Sequence, residues 1–216
     1  MKMTVKIVGD IGSCFGGTFE GALEAVDVAK DAGIDTIKFQ LFRGNKNGNI
    51  EFPREYFPKV VKYARSKDLD IFASAFDVDA IELLVDVGVR KVKLAYSQNF
   101  NLKLIKRAKE LGMEIFASGD DDNYPHYSDI KFYRPEGYPP KKAKFITMSD
   151  SDDILFDGLS SHLIGYKTDL DVLHGQTGTK WKYLEKHFHL DHEVDVPDYW
   201  FALSPKELKQ MVKELK

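Results

Sequence analysis

Short apolar, β-branched runs alternate along this chain with longer amphipathic segments, the pattern of βα units that build a parallel sheet. Val5 to Ile11 reads as the first strand, and Gly16 and Gly17 break it. From Thr18 to Ala32 the apolar positions Ala22, Ala25, Val26 and Ala29 recur at helical spacing, and Gly33 supplies a C-cap. Further strands are expected at Thr36 to Phe42, Ile71 to Phe76, Lys91 to Ala95 and Glu114 to Ser118. A polar loop, Arg43 to Asn49, precedes a helix opened by Pro53 with Tyr56, Val60 and Tyr63 inward. Two shorter helices, Val78 to Val87 and Leu102 to Leu111, are closed by Gly88 and Gly112.

The rhythm then changes. Asp120 to Lys142 is rich in Asp, Tyr and Pro and has no helical period, which suits either a lid or a replacement for a missing helix. Strand six is expected at Lys144 to Met148, strand seven at Phe156 to Ser160, and strand eight within Trp181 to Leu190. Ser204-Pro205-Lys206-Glu207 is a capping-box start for a last helix with Leu208, Met211 and Leu215 on one face. Eight strands and about five good helices predict a compact (β/α)8 TIM barrel with helices reduced or missing in its second half. Such barrels usually need ~250 residues, so 216 is near the lower limit. A flavodoxin-like open sheet accommodates eight strands less well. No repeat, linker or boundary interrupts residues 1–216, which read as a single domain.

Charge narrows the partners. Acidic and basic residues number 34 and 31, a net charge of -3, which gives no reason to expect nucleic acid or a membrane surface. No apolar run approaches the roughly 18 to 20 residues that span a bilayer, and the start is too brief for a signal segment. The lone cysteine, Cys14, cannot form an intrachain disulfide, which suits a reducing cytosol; the default location is cytoplasmic. No Cys-His arrangement marks Cys14 as a nucleophile, and a small buried thiol is its ordinary role.

Barrel active sites lie at the C-terminal strand ends, so polar residues there are informative. They are Asp10; Lys38 and Gln40; Ser74 and Asp77; Lys93 and Gln98; Ser118 and Asp120; Ser149; Ser160 and His162; and Glu185 with His187. Lys38 and Lys93 sit inside apolar runs, IKF and VKL, and must point into the lumen or beneath a helix. Either place is costly unless the charge is paired or meets an anion. Two readings stay open: an anion site to which Ser118 and Ser160 also donate, or structural pairing with Asp10 or another acid. His162 and His187 follow neighbouring strands and are placed to share one divalent ion, with Asp10 or Asp198 completing the shell. A strand-end histidine is more often simply a hydrogen-bonded polar group. His189 alternates away from His187, and His192 lies in an acidic turn.

The strand-end blocks resemble those of the sialic acid synthase family, enzymes that condense phosphoenolpyruvate with an amino-sugar. AKDAGIDTIKFQLF (Ala29 to Phe42) is similar to that family's helix-one and strand-two signature with its K-x-Q. VKLAYSQNFNLKLIKRAKELGMEIFASG is similar to its strand-four to strand-five block, GLSSHLIGY to its G-L-S-D-H block, and LEKHFHLD to its E-K-H-F-T-L-D block. VPDYWFALSPKEL resembles its ending, so the likeness runs from the first strand to Pro205. The resemblance implies that Lys38, Gln40, Lys93, Ser118 and Ser160 contact phosphoenolpyruvate. It implies that His162 and His187 bind a divalent metal, manganese above magnesium, cobalt or zinc, and that Asp198 faces the metal water or the acceptor. Asp10, Asp198 and Lys93 form the implied catalytic set, with Tyr96 and Gln98 toward the acceptor.

Departures fall mostly on the acceptor side. Asp10 stands where the family has glutamate, and N-H-x-G reads Cys14-Phe15-Gly16-Gly17. K-I-x-S-x-E reads Lys93-Leu94-Ala95-Tyr96-Ser97-Gln98, so a serine is Tyr96 and the acceptor-binding glutamate is Gln98. The aspartate before the metal histidine is Ser161; FASAFD in strand three is one residue short, and strand five lacks a threonine. The family's C-terminal antifreeze-like lid domain has no counterpart in this sequence. The implied activity is metal-assisted condensation of phosphoenolpyruvate with a small aldehyde or sugar to give a 2-keto acid. A barrel retained as a binding or scaffold protein, and another metal-dependent aldolase, are the rival expectations. The family's dimers imply a homodimer, here through a surface other than the lid contact.

Overall fold

The eight parallel strands close on themselves in chain order, β1-β2-β3-β4-β5-β6-β7-β8, and the last pairs with the first. A computed structural model describes residues 5–45, 47–120, 122–140, 156–173, 181–190 and 195–216. The strands are β1 (Lys6–Asp10), β2 (Thr36–Leu41), β3 (Asp70–Ala75), β4 (Lys91–Leu94), β5 (Glu114–Gly119), β6 (Ile130–Tyr133), β7 (Gly158–Ser161) and β8 (Tyr183–His187). The helices are α1 (Phe19–Ala32), α2 (Phe57–Ser66), α3 (Val78–Asp86), α4 (Leu102–Glu110), α5 (Lys167–Leu173) and α6 (Pro205–Leu215). Closure of the sheet rules out the flavodoxin-like alternative.

Local chemistry sets the helix ends. Thr18, Asp77 and Asn101 accept from the backbone N–H groups of Gly21, Ala80 and Leu104, contributing about 1 kcal/mol per cap. Ser204 and Glu207 complete both bonds of the expected capping box at the start of α6. Ala22, Ala25 and Ala29 keep the inner face of α1 slim, and α6 packs beside it. On α6, Leu208, Met211, Val212 and Leu215 are buried, at roughly 1.5–3 kcal/mol for each large apolar side chain.

Two elements differ from the sequence reading. The place between β5 and β7 is filled by Ile130–Tyr133, within the Pro- and Tyr-rich stretch, and the strand expected at Lys144 to Met148 lies outside the described residues, as does Ser149. The second helix begins as a 3-10 turn, Arg54–Tyr56, and its buried face is Phe57, Val60, Val61 and Ala64. Tyr63, expected inward, is only partly buried because its hydroxyl reaches out to Asp27 at 2.9 Å. The shortened second half is as expected: no helix separates β5 from β6 among the described residues, and α5 has 7 residues.

Alternation along the strands sorts side chains into lumen and outer wall. The lower lumen is an aromatic plug of Phe72, Phe116, Phe132 and Tyr183, with ring centroids 5.1 to 6.1 Å apart. Above it stand Lys38, Lys93, Ser160 and Glu185, and above those His162, His187 and Arg134. Phe72, Phe116 and Phe132 are buried, so the polar layer rests on apolar rings on one side and opens into a cavity on the other.

Candidate functional site

The open side is a cavity of about 800 Å³ at the C-terminal ends of the strands. At its floor, Glu185 bridges two buried lysines: Lys38 Nζ lies 3.2 Å from one carboxylate oxygen and Lys93 Nζ 2.8 Å from the other. Lys38 also pairs with Asp10 at 2.8 Å, and Ser160 Oγ donates to Glu185 at 2.8 Å. All four charged groups are at most 4 % exposed. Burial would raise both carboxylates, but the cations outweigh it: His187 and Lys38 hold Asp10 low, and Lys38 and Lys93 hold Glu185 far below its usual range. Lys38 is raised because Asp10 and Glu185 overcome its desolvation. Lys93 behaves differently. Burial, with the charge of Lys38 added, pushes it down to about 8 against the pull of Glu185. Its ammonium sits 4.1 Å from the centre of the Phe132 ring in the plug.

One wall carries the histidines. The rings of His162 and His187 have centroids 5.3 Å apart, and Phe201 packs edge-on against both. His187 Nε2 is 3.2 Å from Asp10 Oδ2, while Nδ1 of each histidine is buried without a hydrogen-bond partner. Burial holds His162 well below the usual imidazole range, aided by His187, Lys38 and Arg134, so it is neutral at pH 7. Two buried ring nitrogens without hydrogen-bond partners, one of them on the neutral His162, suit a divalent ion of borderline softness. Among the described residues no set of three or more His, Cys, Asp and Glu side chains surrounds one point, so water or a bound ligand would fill the remaining positions.

Asp10, Lys38, Gln40, Lys93, Tyr96, Gln98, Ser118, Ser160, His162 and His187 all line this cavity. Gln40 donates to Asp10 at 3.2 Å. Gln98 accepts from Asn101 at 3.0 Å, in the turn after β4 that also carries Tyr96. Asp198 stands behind the wall, 3.7 Å from His187 Nδ1, and accepts from the Tyr138 hydroxyl at 2.5 Å. Gly12 makes room for it: a Cβ there would come 2.2 Å from Asp198 Oδ2, and its φ of +50° also favours glycine. Cys14 is fully buried and its thiol pushed far up by burial and by Asp198, which fits an inert core role. His189 stacks on Tyr199 at 4.6 Å, away from the cavity, and His192 is outside the described residues.

Sequence reasoning passed over three groups. Glu185 reads only as a strand-end acid, because LEK flanks it with an apolar residue on one side and a charge on the other, unlike IKF. Arg134 and Tyr138 follow β6, and misplacing that strand concealed them. Behind the sheet, Lys186 and Asp169 form a second buried pair at 2.9 Å, with Ser161 donating to Asp169 at 2.6 Å. Ser161, noted as a departure, thus belongs to the outer wall.

Comparison with known proteins agrees with this architecture. The chain is 21% identical over 261 residues to N,N'-diacetyllegionaminic acid synthase of Legionella pneumophila, covering 100% of this chain and 72% of the relative. It is 24% identical over 248 residues to the spore coat polysaccharide biosynthesis protein SpsE of Bacillus subtilis, covering 96% of this chain and 66% of the relative. The solved N-acetylneuraminic acid (sialic acid) synthetase of Leptospira borgpetersenii, in complex with citrate, superposes with a TM-score of 0.85 at 25% identity, covering 98% of this chain and 82% of that one. The NeuB family signature matches residues 44–120 and 142–216, more than half of the chain, and with the closed barrel and its polar mouth this places the protein in the NeuB family.

Proposed function

We propose that the cavity holds phosphoenolpyruvate on its floor and condenses it with a small aldehyde or sugar, giving a 2-keto acid and inorganic phosphate. The observation that carries this reading is the pair of lumenal lysines that share one carboxylate and still open into the cavity. An ammonium group has three protons. Lys38 commits two of them, to Asp10 and Glu185, and Lys93 commits one, to Glu185, so donors remain for a phosphate or carboxylate. The named relatives are synthases or belong to polysaccharide biosynthesis, which agrees with an enzyme of the sialic acid synthase type.

In this proposal Lys38 and Lys93 stabilise the charge of the donor's phosphate and carboxylate, with Ser118, Ser160 and Gln40 beside them. Carbon 3 of phosphoenolpyruvate forms the new bond to the aldehyde carbon, water adds at carbon 2, and the carbon 2 phosphate leaves. His162 and His187 would hold the metal, manganese first, with magnesium, cobalt or zinc as alternatives; such an ion supplies Lewis-acid polarisation of the aldehyde oxygen. Asp10 pairs with His187 Nε2 from the lumen side, and Asp198 lies 3.7 Å from Nδ1 behind it. The aromatic plug keeps bulk water from the floor, which strengthens every charge contact there.

The acids that already pair both lysines favour one competing reading, a barrel kept as a binding or scaffold protein. Calorimetric titration of phosphoenolpyruvate separates the two. Wild type with manganese binds, and chelation or His162→Ala weakens that binding, if the donor site is real. Absence of binding under every condition would overturn the synthase proposal and leave the scaffold.

A further inference from the structure

Each cation lining the cavity has a carboxylate partner among the described residues, except Arg134. Lys38 and Lys93 are paired to Asp10 and Glu185, and Arg43 to Asp77 and Asp79. Arg134 follows β6, two residues beyond Phe132, and so points into the lumen one layer above the plug. Its guanidinium carbon sits over the Tyr96 ring, 4.1 Å from the ring centre, and its Nε is buried with no partner. Among the described residues the guanidinium makes one hydrogen bond, a long one of 3.4 Å to the carbonyl of Gly137. A guanidinium presents five N–H donors in a rigid fork, and stacking on an aromatic ring fixes the plane of that fork while leaving its edge free.

From this geometry we infer that Arg134 is a specificity-determining residue for the second reactant, and that this reactant is an aldehyde carrying an anionic group, phosphate or carboxylate. The inference rests on the synthase reading of the same cavity. The donor's anions are matched by Lys38 and Lys93 on the floor, which leaves Arg134, at the height of the histidines, facing whatever lies above the donor. Gln98, in the same turn as Tyr96, is neutral, so no acid opposes the guanidinium there. A neutral sugar would leave the Nε–H and the fork unsatisfied in a part-buried place, which is unfavourable. A planar oxyanion accepts two parallel bonds from that edge.

The test is calorimetry on wild type, Arg134→Gln and Arg134→Lys, first with phosphoenolpyruvate alone. Each protein, saturated with phosphoenolpyruvate in the absence of added metal to prevent turnover, is then titrated with D-arabinose 5-phosphate, D-glucuronate or D-arabinose. The expected result is unchanged phosphoenolpyruvate affinity in all three proteins. Wild type prefers the phosphate or the uronate over arabinose, Arg134→Gln loses roughly ten- to a hundredfold for that anionic sugar, and Arg134→Lys falls between. The phosphate and uronate arms show which anion is read. Three results would overturn the inference: equal affinity for arabinose and both anionic sugars, anionic binding unmoved by Arg134→Gln, or loss of phosphoenolpyruvate binding in Arg134→Gln, which would make Arg134 a donor contact. If phosphoenolpyruvate bound to none of the proteins, with manganese or without it, the synthase reading itself would fail, and the acceptor role with it. Circular dichroism of both variants establishes that any loss is not unfolding.

Discussion

Two buried lysine clusters meet back to back across β8, through its adjacent residues Glu185 and Lys186. On the outer face, Lys186 forms an ion pair with Asp169 at 2.9 Å and donates to the Leu163 carbonyl at 2.5 Å and to Ser161 Oγ at 3.3 Å. That ammonium is saturated and sealed, with both charged side chains 0% exposed. On the lumen face, Lys93 has one acid, which it shares with Lys38, and a cavity in front of it. The residue type and the burial are the same. What differs is unspent hydrogen-bonding capacity, and this separates a cluster that holds a wall together from one that can receive a ligand.

The largest effect should come from the sealed pair. Asp169→Asn leaves Lys186 buried without its counter-charge and should lower unfolding stability by about 3–5 kcal/mol in a urea titration. Replacing both members, Asp169→Leu with Lys186→Met, should recover most of that loss, because burial already works against each charge: it raises Asp169 and lowers Lys186 despite their pairing. A double variant as unstable as the single one would mean that packing, not charge, dominates the outer cluster.

The next effect belongs to the lumen and to pH. Lys93 is depressed to about 8, so the free protein carries its charge below that pH and loses it above. An anion needs the charged form. Phosphoenolpyruvate affinity should therefore be flat from pH 7 to about 8 and then fall by up to about tenfold per pH unit. Calorimetry across pH 7 to 9.5 checks the break, and a profile with no break would show that Lys93 does not face the ligand. The smallest effect is Ser160→Ala. It removes one hydrogen bond to Glu185 and should cost about 1 kcal/mol in the same urea titration, because both lysines remain to hold the carboxylate.

Much of this contrast was written in the local sequence, but not which face each residue would take. IKF and VKL announced buried lysines because a charge within an apolar strand must find a partner. Strand β8 reads LEKH, with Glu185 and Lys186 adjacent, and only the closed register shows that the acid faces the lumen and the lysine the outer wall. Glycine caps and the Ser204 capping box marked helix ends well because these signals are local. Strand β6 was missed for the opposite reason. Its 4 residues, bounded by Pro135, hold too little period to be seen, and pairing with β5 and β7 makes them a strand. Losing that strand concealed Arg134, the residue that most distinguishes the upper cavity.

On this contrast the lumenal cluster is proposed as a ligand site and the outer one as structural. Lys93→Met, compared with wild type by phosphoenolpyruvate calorimetry at pH 7.5 and by urea unfolding, tests it most directly. The expected result is a roughly ten- to a hundredfold loss of affinity, with stability within about 1 kcal/mol of wild type because Glu185 keeps Lys38 and Ser160. Unchanged affinity, or a stability loss as large as that of Asp169→Asn, would place Lys93 with the structural lysines and contradict it.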